Sequence, residues 1–413
     1  RGEYNDVLEV YRRHLHMTFD MEDALRVIFA VIYSNQLPGD PLWVHIAAPP
    51  GTGKTELLMS CSSCKFCVTR STVTAHSLVS GFQLPGGKDP SLLPQIMGRT
   101  FIIKDFTEIL RMQRNEKDQV YSIFRGAYDG EVSKQFGNGL MRQYQGYFSM
   151  ITGVTHAIFA EAGTSLGERF LIFHFVKGVG FDADEMIMAA LGNAGDEKGM
   201  KEEITEAATK FLEYRVAPEE RPQLPQEYAI KIMNLAQVIA MLRGEVPWDW
   251  GRQNMTHRGQ YEAGTRLAKQ LKKLMQGLAI TNPDFKICED DYRIAVRVAL
   301  DTCNGFNLEI IEALMTDWEG EDDPQELNAR EVSEKVDIPL TTCKQKLDDM
   351  EALKILSSFK TDNPSGMGGP VKCYVVNEKL IRHWKDSNLG HYIRQRDNVP
   401  RVRKHFRKGG SSD

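Results

Sequence analysis

The residues best placed to do chemistry lie between positions 48 and 55, Ala48-Pro49-Pro50-Gly51-Thr52-Gly53-Lys54-Thr55. Gly51 and Gly53 permit a tight loop whose N–H groups converge, and such a concavity holds phosphate oxygens. Lys54 supplies a point charge for the β- and γ-phosphates of a nucleoside triphosphate, and the Thr55 hydroxyl suits Mg²⁺. Context sharpens the pattern. Trp43 to Ala47 reads as a short apolar strand before the loop, and Glu56 to Ser60 as a helix after it, which is the setting a phosphate loop needs. Ala48 departs from the general pattern, which has Gly at that position.

Such a loop must be carried by a sheet. Further strand candidates are Phe66 to Arg70, Thr100 to Lys104, Tyr147 to Thr152 and Phe170 to Phe175. Helical stretches lie between them at Asp89 to Ile96 and Glu116 to Tyr128. Strands alternating with helices predict an α/β fold with a largely parallel, covered sheet. Residues 1–36 read as an N-terminal helical segment, 37–181 as the nucleotide-binding core and 182–318 as a helical lid. Residues 324–380 read as a winged helix: Asn328 caps Ala329 to Val336, a second helix ends near Leu353, and two strands flank a Gly/Pro/Ser-rich wing, Thr361 to Pro370. The second helix could enter a DNA major groove with Lys344 and Lys346, but Asp348, Asp349 and Glu351 dilute its charge, so partner packing stays open. Residues 381–413 read as a basic tail. From Arg382 to Lys408 nine Lys/Arg stand against two Asp, so +7, which leaves −12 on the remainder of a chain of net charge −5.

The wording Pro-Pro-Gly-Thr-Gly-Lys-Thr resembles the AAA+ ATPases. That resemblance makes Phe101-Ile102-Ile103-Lys104-Asp105-Phe106-Thr107-Glu108 the Walker B segment. Members of the class place Asp and Glu side by side; here one Asp stands after Lys104. In one register Asp105 positions the attacking water. In the other Asp105 holds Mg²⁺ and Glu108 is the next acid. Asp105 is essential in both. The resemblance also implies a polar sensor after the Tyr147 to Thr152 strand, Thr155 with Thr152 as alternative.

Within the class the chain resembles the minichromosome-maintenance (MCM) helicases. A hairpin with Gly137-Asn138-Gly139 at its tip precedes the sensor strand. Leu166-Gly167-Glu168-Arg169-Phe170 is similar to the segment whose Arg reaches the neighbouring subunit's ATP. Thr265-Arg266 is similar to a second sensor helix, which would bring Arg266 near the γ-phosphate. The resemblance implies ATP and Mg²⁺, a homo-oligomeric ring of six subunits, replication proteins as partners, and DNA held by Lys134 with Arg142 on the opposite arm. The chain would act as a DNA-translocating motor or helicase in replication of a bacterial, phage or mobile-element genome. An ATP-controlled DNA-binding switch and a protein-remodelling ATPase are the alternatives.

Seven cysteines suggest thiols in a reducing compartment, and a cytoplasmic location with no membrane attachment is expected. Cys61, Cys64 and Cys67 have CxxCxxC spacing. Three ligands fall short of a closed four-ligand zinc site, and their position reads as packed core.

Overall fold

The computed structural model describes residues 3–161, 166–175, 183–192, 195–215, 221–249, 251, 255–303, 305–316, 322–362 and 369–397. The strands in chain order are β1 (Trp43–Ala47), β2 (Cys67–Arg70), β3 (Thr100–Ile103), β4 (Glu131–Gln135), β5 (Met141–Gln145), β6 (Ser149–Val154) and β7 (Phe170–His174). All but β4 and β5 form one parallel sheet, ordered β2-β3-β6-β1-β7. Every residue of β1 and β6 is buried, as continuous apolar strands covered on both faces must be.

Alternation along the strands sends Val44, Ile46, Leu171 and Phe173 into one core layer and Trp43, Ala47, Phe170 and Ile172 into the other. The first layer holds the helices Phe19–Ser34, Thr265–Thr281 and Glu289–Asp301. At Gly277 a Cβ would lie 2.4 Å from the Ala30 carbonyl oxygen, so only glycine lets two of these helices touch there. Ion pairs lock the third to the first: Arg293 holds Asp23 with two bonds of 2.7 Å, and Arg297 reaches Asp20 at 2.6 Å. Charges this far from water persist only when paired. The expected N-terminal helical segment is therefore built into a core layer.

The edge of β7 is closed by side chains rather than by a strand. Thr302 Oγ1 accepts from the Ile172 N–H at 2.9 Å and Asp301 Oδ2 from the His174 N–H at 2.8 Å. Occupied donors of this kind stop edge-to-edge pairing.

Nearer the C-terminus come β8 (Leu327–Asn328), helices Ala329–Val336 and Leu340–Ala352, and the antiparallel strands β9 (Leu356–Thr361) and β10 (Val371–Val376), ordered β8-β10-β9. Asn328 caps the first helix by accepting from the Arg330 and Glu331 N–H groups. The middle of the expected wing and the last part of the expected tail, residues 398–413, lie outside the described residues.

Two expectations need correction. The helix over Asp89 to Ile96 shrinks to Leu93–Ile96, because Pro90 and Pro94 lack amide donors and Asp89 turns the chain by accepting from the Ser91 N–H at 2.9 Å. Residues 381–397 are not tail. They belong to helices Glu378–Asp386 and Leu389–Asp397, docked through buried Leu380, Trp384, Leu389, Tyr392 and Ile393.

Candidate nucleotide site

The loop from Ala48 to Thr55 leaves the carboxyl end of β1, between β6 and β7. Crevices outside the carboxyl ends of parallel strands are where such sheets bind ligands. Gly51 and Gly53 both have φ of +76°, which a side chain would strain, and Thr52 Oγ1 donates to the Pro49 carbonyl at 2.9 Å to close the turn. The helix Lys54–Met59 starts at the loop's end. Pro50 and Gly51 are exposed, Thr52 is buried, and Pro49, Lys54 and Thr55 are half-buried.

Lys54 Nζ donates to the Val154 carbonyl at 2.7 Å and to the Ala48 carbonyl at 3.4 Å. Burial lowers its pKa, and the Asp105 carboxylate opposes that shift. The cation thus rests on two neutral oxygens beside one acid.

Asp105 follows β3. Its Oδ1 accepts from the Thr107 N–H at 2.9 Å, which fixes the carboxylate's orientation. The Phe106 N–H donates to the Gly153 carbonyl at 2.7 Å, and a Cβ on Gly153 would lie 2.5 Å from the Lys104 carbonyl oxygen. Gly153 therefore lets the Asp105 turn lie flat on β6. Thr155 stands at the end of that strand, its N–H donating to Thr107 Oγ1 at 3.3 Å and its hydroxyl 3.4 Å from the same oxygen.

Lys54, Asp105 and Thr155 thus gather at one end of the sheet. Lys104 and Glu108 are exposed, and Glu108 lies on the short helix Thr107–Leu110. Thr152, the alternative sensor, faces the core, its hydroxyl 2.5 Å from His45 Nδ1. Burial lowers the His45 pKa to about 3, so that ring is neutral. Thr107, which ties Asp105 to Thr155, was missed by sequence reasoning. A hydroxyl two residues after the key acid was the available signal. His156 and His174, 2.6 Å apart through Nε2 atoms at the same strand ends, were missed too, because only the sheet brings them together.

The two arginines lie elsewhere. β7 pairs with β1 in parallel, Phe170 against Trp43 and His174 against Ala47. Arg169 therefore precedes the sheet where Ala48 leaves it, a separation of about 20 Å along the strands at ~3.3 Å per residue. Its guanidinium pairs with Asp129 at 3.3 Å and lies 5.6 Å from the centre of the Tyr128 ring. Arg266 donates to Glu168 at 2.7 Å, so it shares that end. The expectation that Arg266 approaches the γ-phosphate is corrected for this chain's own loop: the helix Thr265–Thr281 starts at the opposite strand ends. Asp129 and Glu168, the partners, were not foreseen. Both adjoin the elements that carry the arginines.

The hairpin β4–β5 also rises at that end, just after Asp129. Its register places Lys134 opposite Arg142. Arg142 is only 11% exposed. It donates to the Ser80 and Phe82 carbonyls, at 3.3 and 2.7 Å, and pairs with Asp89 at 3.5 Å. It clasps the segment 80–89 to the hairpin, a correction to its expected role at DNA. Lys134 is half-buried over the Phe136 ring, at 5.3 Å. In the C-terminal unit Lys344 is exposed, while Lys346 turns inward to line a cavity of about 720 Å³ shared with Arg169 and Arg243. Trp248 Nε1 donates to Asp349 on the same helix at 2.6 Å.

Cys61, Cys64 and Cys67 are buried at the start of β2, and burial pushes the Cys61 thiol up to about 12. Among the described residues no three His, Cys, Asp or Glu side chains converge as a metal site, and no helix is long and apolar enough to cross a membrane.

A parallel α/β core with a glycine loop, Lys54 and Asp105 at one edge has the architecture of a P-loop nucleotide-binding protein. No family model matches the chain, and no curated protein does. Among solved structures, a full-length MCM homolog from Methanopyrus kandleri matches at 12% identity with a TM-score of 0.45, over 73% of this chain. The chain spans 60% of that structure.

Proposed function

We propose that the chain is an AAA+-type ATPase that works as an oligomer, each site completed by a neighbouring subunit, and that it drives a DNA-translocating motor of the MCM-like kind. The observation that carries the reading is the division of labour between the two ends of the sheet. One end gathers a phosphate loop, Lys54, Asp105 and Thr155. The other presents Arg169 and Arg266, too far to serve the same loop.

The residues present fit a nucleotide with its metal: the loop at Gly51 has open space within 4 Å of where a Cβ would stand, and the donors are amides, an ammonium and a hydroxyl. Thr55 and Asp105 would hold Mg²⁺, which neutralises charge on the β- and γ-phosphate oxygens. Lys54 exchanges its carbonyl partners for phosphate oxygens. Asp105 is already oriented for its role at Mg²⁺ by the Thr107 N–H, and Thr155 fixes the position of the terminal phosphate. Arg169 of one subunit compensates the charge that develops at the next subunit's site.

The β8–β10 unit is read as a winged helix that packs against the body through Trp248 and Asp349. One observation favours a second reading, protein remodelling. The clasped segment and hairpin present Phe82 at 80% exposure and Met141 at 60%, while Arg142 is tied down.

Mixing variants tests the core proposal. Arg169→Ala and Lys54→Ala subunits, each inactive alone, should regain ATPase activity together where intact half-sites meet. No recovery in assemblies shown to be mixed would refute a site shared between subunits. Stimulation by single-stranded DNA, as opposed to unfolded protein, then separates motor from remodeller.

A further inference from the structure

Arg169 and Arg266 come from different elements, yet each ends on a carboxylate at the same edge of the molecule. Arg266 bonds Glu168 at 2.7 Å, with side chains 34% and 53% exposed. Arg169 pairs with Asp129 at 3.3 Å, with side chains 16% and 61% exposed. Both acids are thus more than half in solvent. Their surroundings explain why these acids, and not others, are available. Glu262, close to Glu168, is engaged by Arg243 at 3.5 Å, and burial holds its carboxyl above the usual range. The arginines themselves are held from behind: Gln270 Nε2 donates to the Arg169 carbonyl at 2.9 Å and to the Tyr128 hydroxyl at 3.2 Å, on the helix that Arg266 opens. The backbone is fixed, while the guanidinium partners can be exchanged.

We propose that Glu168 and Asp129 are stand-in anions: they occupy Arg266 and Arg169 in the free subunit and yield them to a neighbouring subunit's triphosphate, setting the protein concentration at which the ATPase assembles. The inference rests on the proposed sharing of the site between subunits.

Two effects compete at each arginine, and magnitudes decide between them. A pair whose acid stands more than half in solvent gains little, because water screens it from that side. Phosphate offers a guanidinium two parallel charge-assisted bonds and a larger charge, so the exchange runs toward phosphate. A carboxylate left beside the arriving phosphate opposes it by like-charge repulsion. Removing that negative charge while keeping the side chain's shape should therefore favour assembly, even though it removes an ion pair. A purely structural pair predicts the opposite sign, since loss of the acid would leave the arginine disordered and the interface weaker.

The test uses the full chain carrying Glu168→Gln, Asp129→Asn or both, with Glu168→Asp as the charge-keeping control. ATPase rate per subunit is followed against protein concentration at saturating ATP and Mg²⁺, with sedimentation as a parallel readout of assembly. Each neutral variant should lower the concentration midpoint by about two- to five-fold, the range that exposed ion pairs span. The shift should shrink at high salt as screening weakens the repulsion it relieves. Glu168→Asp should stay near the parent. A midpoint that is unmoved or raised in both neutral variants overturns the inference. If the Arg169→Ala and Lys54→Ala mixture regains activity while the midpoints stay put, this inference alone falls; without that recovery both fall.

Discussion

Lys54 and three arginines rest on different kinds of partner at the two ends of the central sheet. At the carboxyl ends of the strands, Lys54 rests on the neutral Ala48 and Val154 carbonyls. At the amino ends, Arg169, Arg266 and Arg142 each meet a carboxylate, in Asp129, Glu168 and Asp89. Lys54 gives up only neutral carbonyls to an incoming anion, with the Asp105 carboxylate acting on it from nearby. An arginine on a carboxylate is partly neutralised until something displaces that acid. On the proposed function, the first end binds nucleotide by itself, and the second acts only when a neighbouring subunit brings a competing anion to it. That asymmetry suits one site divided between two copies of the chain.

The largest effect should come from the self-sufficient end. Lys54→Ala removes the loop's ammonium, and calorimetry should find ATP binding abolished. Charged hydrogen bonds are worth about 1.5–3 kcal/mol each, and this ammonium can make more than one. Unchanged affinity would break the comparison at its root. Next comes Asp105→Asn, which keeps volume and the acceptor for the Thr107 N–H but loses the charge. Turnover should fall on the order of 10²-fold, the scale of losing one well-aimed electrostatic group, while ATP affinity and melting temperature stay close to the parent. Hydrolysis at the parent rate would hand the role to another acid, and exposed Glu108 would have to be reconsidered.

These contrasts were unequally legible in the sequence. The phosphate loop is local: its strand, its two glycines and its helix lie within one short stretch, so spacing alone exposes them. Asp105 could be named but its register could not. Thr152 faces the core against His45, while Thr155 lies just past the end of β6, and local spacing does not record which face a strand residue takes. Arg266 could be named but not placed, because its position depends on how a distant helix packs, with Gly277 against Ala30, and no local pattern records that. Residues 381–397 were hidden by their own charge. Leu380, Trp384, Leu389, Tyr392 and Ile393 recur at helical spacing, but the surrounding Arg and Lys mask that apolar stripe.

The hairpin gives the smallest and most discriminating effect, because its two cations obey different rules. Val132 and Lys134 alternate onto one face of β4, Phe136 follows just past its end, and Arg142 lies directly across from Lys134. Arg142 is consumed by the Ser80 and Phe82 carbonyls and by Asp89. Among the described residues no ion pair holds Lys134, which has only the Phe136 ring beneath it. Unlike Arg142, it is a cation with its charge still to spend. Lys134→Ala should weaken single-stranded DNA binding by a few-fold and reduce the salt slope of that binding by about 0.7 for each phosphate no longer neutralised, with basal ATPase retained. Arg142→Ala should instead release the segment 80–89, read as faster proteolysis there. Any loss of DNA affinity in that variant should follow the unfastening, with the salt slope left as in the parent. If neither variant changes DNA affinity, while unfolded protein stimulates the ATPase through exposed Phe82, the hairpin serves a polypeptide and the motor reading gives way to remodelling.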